Sequence, residues 1–213
     1  MFHRRVHALV VGVVLLAIAT SMAIVIGLDP TGSILQPLDD RWLAWMIDIR
    51  TAWLTDVAKA VSFLGTVVVM VPLRLTIVAV LAIRRRWLQA GAFLGAVVTS
   101  ELSIGPLKAL IDRPRPPDPL IDTNSASFPS GHAIAASVTA LGLVVVLVPP
   151  GRRRTRWTVA AALFAATMAM ARTYLAAHWA SDVVAGAAIG TGLALVWPAT
   201  LELVRARVRS RSS

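Results

Sequence analysis

Two histidines of the sequence stand in polar settings that suit phosphoryl transfer. His178 precedes Asp182 by four residues, a spacing that places both side chains on one face of a helix. The carboxylate can then hold one ring nitrogen and leave the other free to attack a phosphorus atom. His132 has a similar setting, and we predict that it donates a proton to the leaving group. These residues predict covalent phosphoryl transfer that needs no metal.

Groups suited to phosphate surround these histidines. Arginine offers a planar fork that matches phosphate oxygens, and lysine offers a point charge. A Ser-Gly pair opens a predicted helix, whose free backbone N–H groups can bind an anion. Glycine also lets the backbone come close to a ligand. The predicted phosphate ligands are Lys108, Arg115, Ser130, Gly131 and Arg172.

Each of these features has a simpler explanation when it is taken alone. The cations near the end of one apolar run could anchor the chain at a membrane interface. The Ser-Gly pair could be a plain helix cap, and the His-Asp pair could be structural. Together these explanations need a coincidence at every position, which favours the site. Arg113 lies beside the cations but outside their pattern, and we interpret it as a contact to a loop or a lipid headgroup.

Three segments resemble the motifs of the type 2 phosphatidic acid phosphatases. This family is also called the lipid phosphate phosphatases and is related to vanadium haloperoxidases. The resemblance covers roughly residues 60–200, and its one departure is Ala171, where the family usually has serine. The matching residues are Lys108 with Arg115-Pro116, then Pro129-Ser130-Gly131-His132, then Arg172, His178 and Asp182.

This resemblance implies an integral-membrane enzyme with a six-helix core and with neither cofactor nor metal. By the same resemblance His178 would be the nucleophile that becomes phosphohistidine. Asp182 would orient it, and His132 would be the general acid. The remaining motif residues would hold the phosphoryl oxygens: Lys108, Arg115, Ser130, Gly131 and Arg172.

The elements that must position these residues are membrane helices. Of the 213 residues, 57% are hydrophobic and 15% charged, and the mean hydropathy is +0.73. A soluble domain carries about 25% charged residues, so a soluble enzyme and a disordered chain are excluded. The absence of cysteine excludes disulfide scaffolds, thiolate zinc sites and cysteine nucleophiles. The net charge of +10 lies in short clusters between apolar runs, a pattern that does not suit nucleic acid.

The apolar runs predict a single all-α domain over residues 1–213, an integral membrane bundle of six transmembrane helices. Residues 1–28 hold the first span, which we favour over a cleaved signal peptide. The outer segment 29–60 is predicted to contain a short amphipathic interfacial helix, with a solvated loop as the alternative. Residues 202–213 form a basic tail. The predicted spans are roughly 8–28, 61–83, 87–110, 132–148, 157–172 and 183–201.

Clusters of arginine predict the orientation in the cytoplasmic membrane. The N-terminus, residues 84–86, residues 151–156 and the C-terminal tail hold 13 of the 21 basic residues. Six spans place these clusters on one side, and the positive-inside rule makes that side cytoplasmic. Both termini are then cytoplasmic, and the candidate site faces outside.

A charged residue lies within the second predicted span. Arg74 is predicted either to pair with Glu101 or Asp112, or to extend its charged end to the interface. Glu101 could instead act on Lys108, which lies two helical turns away.

The leading hypothesis is hydrolysis of a phosphomonoester or diphosphate on a membrane lipid. The predicted binding partners are therefore the lipid substrate and the bilayer that surrounds the protein. Candidate substrates are polyprenyl diphosphate such as undecaprenyl diphosphate, phosphatidylglycerol phosphate, phosphatidic acid and a phosphorylated glycolipid. Family analogy mildly favours the polyprenyl carrier. The alternatives are phosphoryl transfer to another acceptor and a non-enzymatic protein that binds lipid phosphate. The sequence leaves open the oligomeric state and whether residues 29–60 gate lipid entry.

Overall fold

All regular secondary structure in the described part of the chain is helical. The computed structural model describes residues 2–211, and among these there is no strand. Residue 1 and residues 212–213, the last of the predicted basic tail, lie outside the described residues. The all-α fold class is therefore confirmed. The helices are α1 (Phe2–Leu28), α2 (Gln36–Asp48), α3 (Ala52–Leu64), α4 (Val67–Ile83), α5 (Trp87–Ile111), α6 (Gly131–Leu147), α7 (Arg152–Tyr174) and α8 (Ala180–Arg211).

Within the described range, three helices are long and apolar enough to cross a membrane: α1, α5 and α8. A fourth span is possible if α3 and α4, which meet at an angle of 42°, count as one broken span. The six predicted spans coincide in position with α1 and with α4 to α8. However, α6 has only 17 residues, and α7 contains five arginines. Three to four spans are supported by length and composition, so the prediction of six is not confirmed.

The outer segment 29–60 is mostly helical, and the solvated loop is wrong. It contains two helices rather than one, because α2 lies wholly within it and α3 begins there. Trp45 on α2 and Trp53 on α3 are exposed, as expected for helices at a membrane interface. The predicted second span is also revised, since α3 ends at Leu64 and α4 begins at Val67. The basic tail continues α8 as far as Arg211.

Close packing of α8 against α6 brings their first turns together. A Cβ atom on Gly186 would lie 2.7 Å from the carbonyl oxygen of Ser130, and one on Gly190 would lie 2.6 Å from that of Ile134. Only glycine permits this approach, which resembles the small-residue contacts of membrane helices. The backbone N–H of Ser130 donates to the carbonyl oxygen of Asp182 at 3.2 Å. The packing therefore joins two segments that carry predicted site residues.

Arg74 pairs with Glu101 inside the bundle. Its Nη1 atom lies 2.5 Å from Oε1 of Glu101, and its Nε atom donates to Oγ1 of Thr139 at 2.8 Å. The Arg74 side chain is buried, so the predicted extension to the interface is wrong, and so is the pairing with Asp112. The contacts tie α4 to α5 and α6.

Candidate active site

The predicted site residues meet at one end of the helix bundle. Lys108 lies in the last turn of α5 and Arg172 in the last turn of α7. His132 is the second residue of α6, and its ring lies within electrostatic range of the cations Lys108, Arg115 and Arg172. The structure thus brings together residues from all three motifs.

The histidine–aspartate pair is not carried by one helix. Helix α8 begins at Ala180, so Asp182 lies in its first turn and His178 lies in the preceding loop. Nδ1 of His178 is 3.7 Å from Oδ2 of Asp182, longer than a hydrogen bond, and has no hydrogen-bond partner among the described residues. The shared helical face is therefore wrong, although the two side chains still face each other.

Asp182 is held in place by the start of its own helix. Its Oδ2 atom accepts a hydrogen bond from the backbone N–H of Trp179 at 3.0 Å, as the third residue of a helix does in a capping box. The same oxygen accepts from Oγ of Ser127 at 2.5 Å. The side chain of Asp182 is fully buried. These contacts fix the carboxylate beside the imidazole ring.

His178 is buried and uncharged at neutral pH. Burial lowers the pKa of His178 to about 4, although the hydrogen-bonding capacity and the charge of Asp182 oppose this shift. The charges of Arg172 and Arg115 lower that pKa further. Nε2 of His178 lies 3.5 Å from Nη1 of Arg115. The ring therefore presents a neutral nitrogen towards the cations, which is the form needed for nucleophilic attack.

Two of the three predicted phosphate-binding cations, Lys108 and Arg115, donate hydrogen bonds to neutral oxygen atoms of the backbone. Nζ of Lys108 donates to the carbonyl oxygen of Ala126. Nε of Arg115 donates to the carbonyl oxygen of Ser125 at 2.7 Å, and Nη1 donates to that of Ala177. Because none of these acceptors carries a charge, the positive charges of the two side chains remain available to an anion.

Arg172 is held by a residue outside the three motifs. Its Nη1 atom donates to Oγ of Ser62 on α3 at 2.6 Å, and both residues are buried. The Nε atom of Arg172 has no hydrogen-bond partner among the described residues. Ser62 is not among the residues predicted from the sequence. It lies 110 residues from Arg172, so no local pattern in the sequence indicates that the two residues are in contact.

The start of α6 is a conventional helix start. Oγ of Ser130 accepts a hydrogen bond from the backbone N–H of Ala133 at 3.4 Å, so Ser130 caps the helix. A Cβ atom on Gly131 would meet only Ile104, at an ordinary 3.7 Å. The protein itself therefore does not require glycine here. Binding of an anion by the N–H groups of this turn stays a prediction.

An apolar groove leads from His132 along the bundle. It has a volume of about 440 Å³ and is lined by α4, α5 and α6. Gly131 and His132 line one part of it, and the Arg74–Glu101 pair contributes charged atoms to the otherwise mainly apolar wall. The groove gives the candidate site a compartment suited to a hydrocarbon chain.

The predicted contact of Arg113 with a lipid headgroup is wrong, whereas the predicted contact with a loop is confirmed, since its guanidinium lies 5.4 Å from the ring centroid of Trp179 in the loop before α8. Arg113 is fully buried and forms salt bridges with Asp39 and Asp182, so it contacts neither solvent nor headgroups. The aromatic residues beside the site, Tyr174 and Trp179, are buried too. The local sequence carries no sign of these contacts, because Asp39 lies 74 residues before Arg113.

Comparison with known sequences identifies the family. The sequence model of the PAP2 superfamily matches residues 89–205. Phosphatidylglycerophosphatase B of Bacillus subtilis is 31% identical over 160 residues, which cover 73% of this chain and 79% of that protein. Decaprenylphosphoryl-5-phosphoribose phosphatase of Mycobacterium tuberculosis is 37% identical over 120 residues, which cover 50% of this chain and 56% of that protein.

Solved structures share the fold. The crystal structure of a PAP2 type phosphatidylglycerolphosphate phosphatase from Bacillus subtilis has a TM-score of 0.76 and 25% identity, over 93% of this chain and 96% of that chain. LpxE of Aquifex aeolicus has a TM-score of 0.62 and 22% identity, over 75% of this chain and 94% of that chain.

The chain belongs to the PAP2 superfamily, as the motifs indicated. It is a membrane protein and a phosphoric ester hydrolase.

Proposed function

We propose that this protein hydrolyses a phosphomonoester or diphosphate of a membrane lipid through a phosphohistidine at His178. One observation carries the proposal: a buried, neutral imidazole lies between the Asp182 carboxylate and Arg115, at distances of 3.7 and 3.5 Å. This arrangement suits nucleophilic attack on an anion better than metal binding or simple helix packing.

The chemistry follows from the positions of the groups. Nε2 of His178 attacks phosphorus, and the bond from phosphorus to the leaving oxygen breaks. Lys108, Arg115 and Arg172 hold the phosphoryl oxygens, together with the N–H groups at the start of α6. His132 gives a proton to the leaving oxygen.

In the second step, water gives a proton to His132 and attacks the phosphohistidine. The bond from nitrogen to phosphorus breaks, and inorganic phosphate leaves. Asp182 stabilises the positive charge on the His178 ring in the intermediate. No step in this sequence calls for a metal.

The lipid nature of the substrate is supported by the groove. The apolar compartment that reaches His132 can hold the chain of a lipid whose phosphate lies among the cations. The two named relatives make phosphatidylglycerol phosphate and a decaprenyl-linked phosphoribose the first candidates. Polyprenyl diphosphate and phosphatidic acid follow them.

We also propose that the site faces the outside of the cytoplasmic membrane. The site lies at the ends of α5 and α7 and at the starts of α6 and α8. The arginine clusters lie at the opposite ends of these helices, in the turn before α5 and at the start of α7. The positive-inside rule supports this orientation.

The test is release of inorganic phosphate by purified protein in detergent with EDTA, using these four lipids. We expect release from at least one lipid, a rate that EDTA does not change, and a loss of at least about 10³-fold in His178→Ala. His7→Ala, an exposed histidine on α1, is the matched control and should retain the full rate. Full release by folded His178→Ala would contradict the mechanism, and no release from any lipid would contradict the function.

A further inference from the structure

A buried arginine links the proposed catalytic carboxylate to the outer helix α2. The side chain of Arg113 is 0% exposed and lies between two carboxylates that are also buried. Its Nη1 atom is 2.7 Å from Oδ1 of Asp182, and its Nη2 atom is 2.8 Å from Oδ2 of Asp39. Removing one partner from such a group leaves an uncompensated buried charge, which is strongly unfavourable.

Asp39 is itself fixed to the start of α8. Its Oδ1 atom accepts a hydrogen bond from the backbone N–H of Ser181 at 2.8 Å, and its Oδ2 atom accepts from Oγ of Ser181 at 2.5 Å. A further contact joins α2 to the arginine, since Nη2 of Arg113 donates to Oε1 of Gln36 at 2.8 Å. Helix α2 is therefore attached to the residues around Asp182 through several buried polar contacts.

These contacts divide the two oxygens of Asp182 between two tasks. Oδ1 accepts a hydrogen bond from Nη1 of Arg113, and Oδ2 faces His178 and accepts from Ser127. Two carboxylates and one guanidinium leave one net negative charge in the cluster formed by Asp39, Arg113 and Asp182. That charge lies next to the ring that becomes positive when a bond to phosphorus forms.

We propose that Arg113 and Asp39 are positioning residues for the pair His178–Asp182, which makes α2 part of the catalytic centre. This inference rests on the proposed role of His178 as the nucleophile. Arg113 holds the carboxylate at one angle, and Asp39 balances the charge of Arg113. Without the charge of Asp39, Asp182 alone balances the guanidinium, and its stabilisation of the charged ring is weaker.

The first test replaces Asp39 by asparagine, which keeps the shape and removes the charge. We expect kcat to fall about 10- to 100-fold, the size of loss known for the hydrogen-bonded partners of metal-bound histidines. KM and inhibition by inorganic phosphate should change less than about twofold, because Asp39 contacts none of the phosphate-binding cations. Asp48→Asn, an exposed carboxylate on the same helix, is the control and should retain the wild-type kcat. The substrate is whichever of the four lipids the wild-type protein hydrolyses fastest.

A double-mutant cycle separates positioning from a general structural role. If Asp39 acts through Asp182, Asp39→Asn lowers kcat in the wild-type background but by less than about twofold in the Asp182→Asn background. An equal loss in both backgrounds would overturn the inference, and so would an unchanged kcat in Asp39→Asn.

A second variant and the nucleophile variant complete the test. Arg113→Lys keeps the charge but loses the fork that reaches both carboxylates, so kcat should fall while KM stays the same. This variant decides the question if Asp39→Asn does not fold, and a wild-type kcat in it would overturn the inference. His178→Ala is read separately: full activity in that variant contradicts the proposed role of His178 as the nucleophile. An inactive His178→Ala beside fully active Asp39→Asn contradicts only the inference.

Discussion

At the scale of single residues, the candidate site depends on how closely the backbone approaches the side chain of His132. Gly65 follows α3, and a Cβ atom there would lie 2.6 Å from Cδ2 of His132. It would also lie 3.0 Å from Cε of Met168. The residue has a φ of −88°, so its conformation does not require glycine and only the space does. The proposed general acid is therefore held in position by the end of α3.

Gly65→Ala should lower kcat by about tenfold, because the new methyl group pushes the imidazole of His132 out of position for proton transfer. The matched control is Gly105→Ala on α5, where a Cβ atom meets nothing within 4 Å. We expect the control to retain the wild-type kcat. The measurement is phosphate release together with thermal unfolding in detergent. A wild-type kcat in folded Gly65→Ala would show that His132 is not constrained there.

The sequence identifies site residues that belong to short motifs, and it misses residues whose partners are distant in the sequence. The three motifs lie in short segments, so their residues were found without a structure. Asp39 lies 74 residues from its partner Arg113 in the sequence, and Ser62 lies 110 residues from its partner Arg172. Neither residue lies in a recognisable pattern, and only tertiary packing shows that each contacts a buried arginine.

At the scale of elements, hydropathy predicts the positions of the helices more accurately than the residues at which they begin and end. The predicted second span crosses the break between α3 and α4, because residues on both sides of Gly65 are apolar. Likewise, helical periodicity placed His178 and Asp182 on one helix. The hydrogen bond from the Trp179 N–H to Asp182 belongs to the first turn of α8, which leaves His178 outside it. Capping contacts of this kind decide helix ends, and hydropathy does not report them.

The orientation of these elements can be tested with single cysteines, because the sequence contains no cysteine. Asn124 lies exposed between α5 and α6, and Ser210 lies exposed near the end of α8. We expect a membrane-impermeant maleimide to label Asn124→Cys in intact cells and to label Ser210→Cys only after permeabilisation. The reverse pattern would contradict an outward-facing site, and labelling of both in intact cells would contradict the proposed topology.

At the scale of the whole molecule, the polar site and the apolar groove meet at His132. Helix α8 packs along α1, α5 and α6, and it carries Asp182 in its first turn. The cations gather at that end of the bundle, and the groove extends from it between α4 and α5. The hydrocarbon chain of a lipid can therefore lie in the apolar groove while its phosphate reaches His178. The fold thus joins the proposed hydrolytic centre to an apolar groove that can hold a hydrocarbon chain.

The central claim is that His178 carries the phosphoryl group during turnover. The most direct measurement is rapid acid-free quenching of the reaction with a ³²P-labelled lipid phosphate, followed by mass spectrometry of the peptide around residue 178. We expect a label that is stable to alkali, labile to acid and located on His178. The label should form faster than phosphate is released and should be absent from His178→Ala. Steady phosphate release without any labelled protein, or a label on another residue, would contradict the claim.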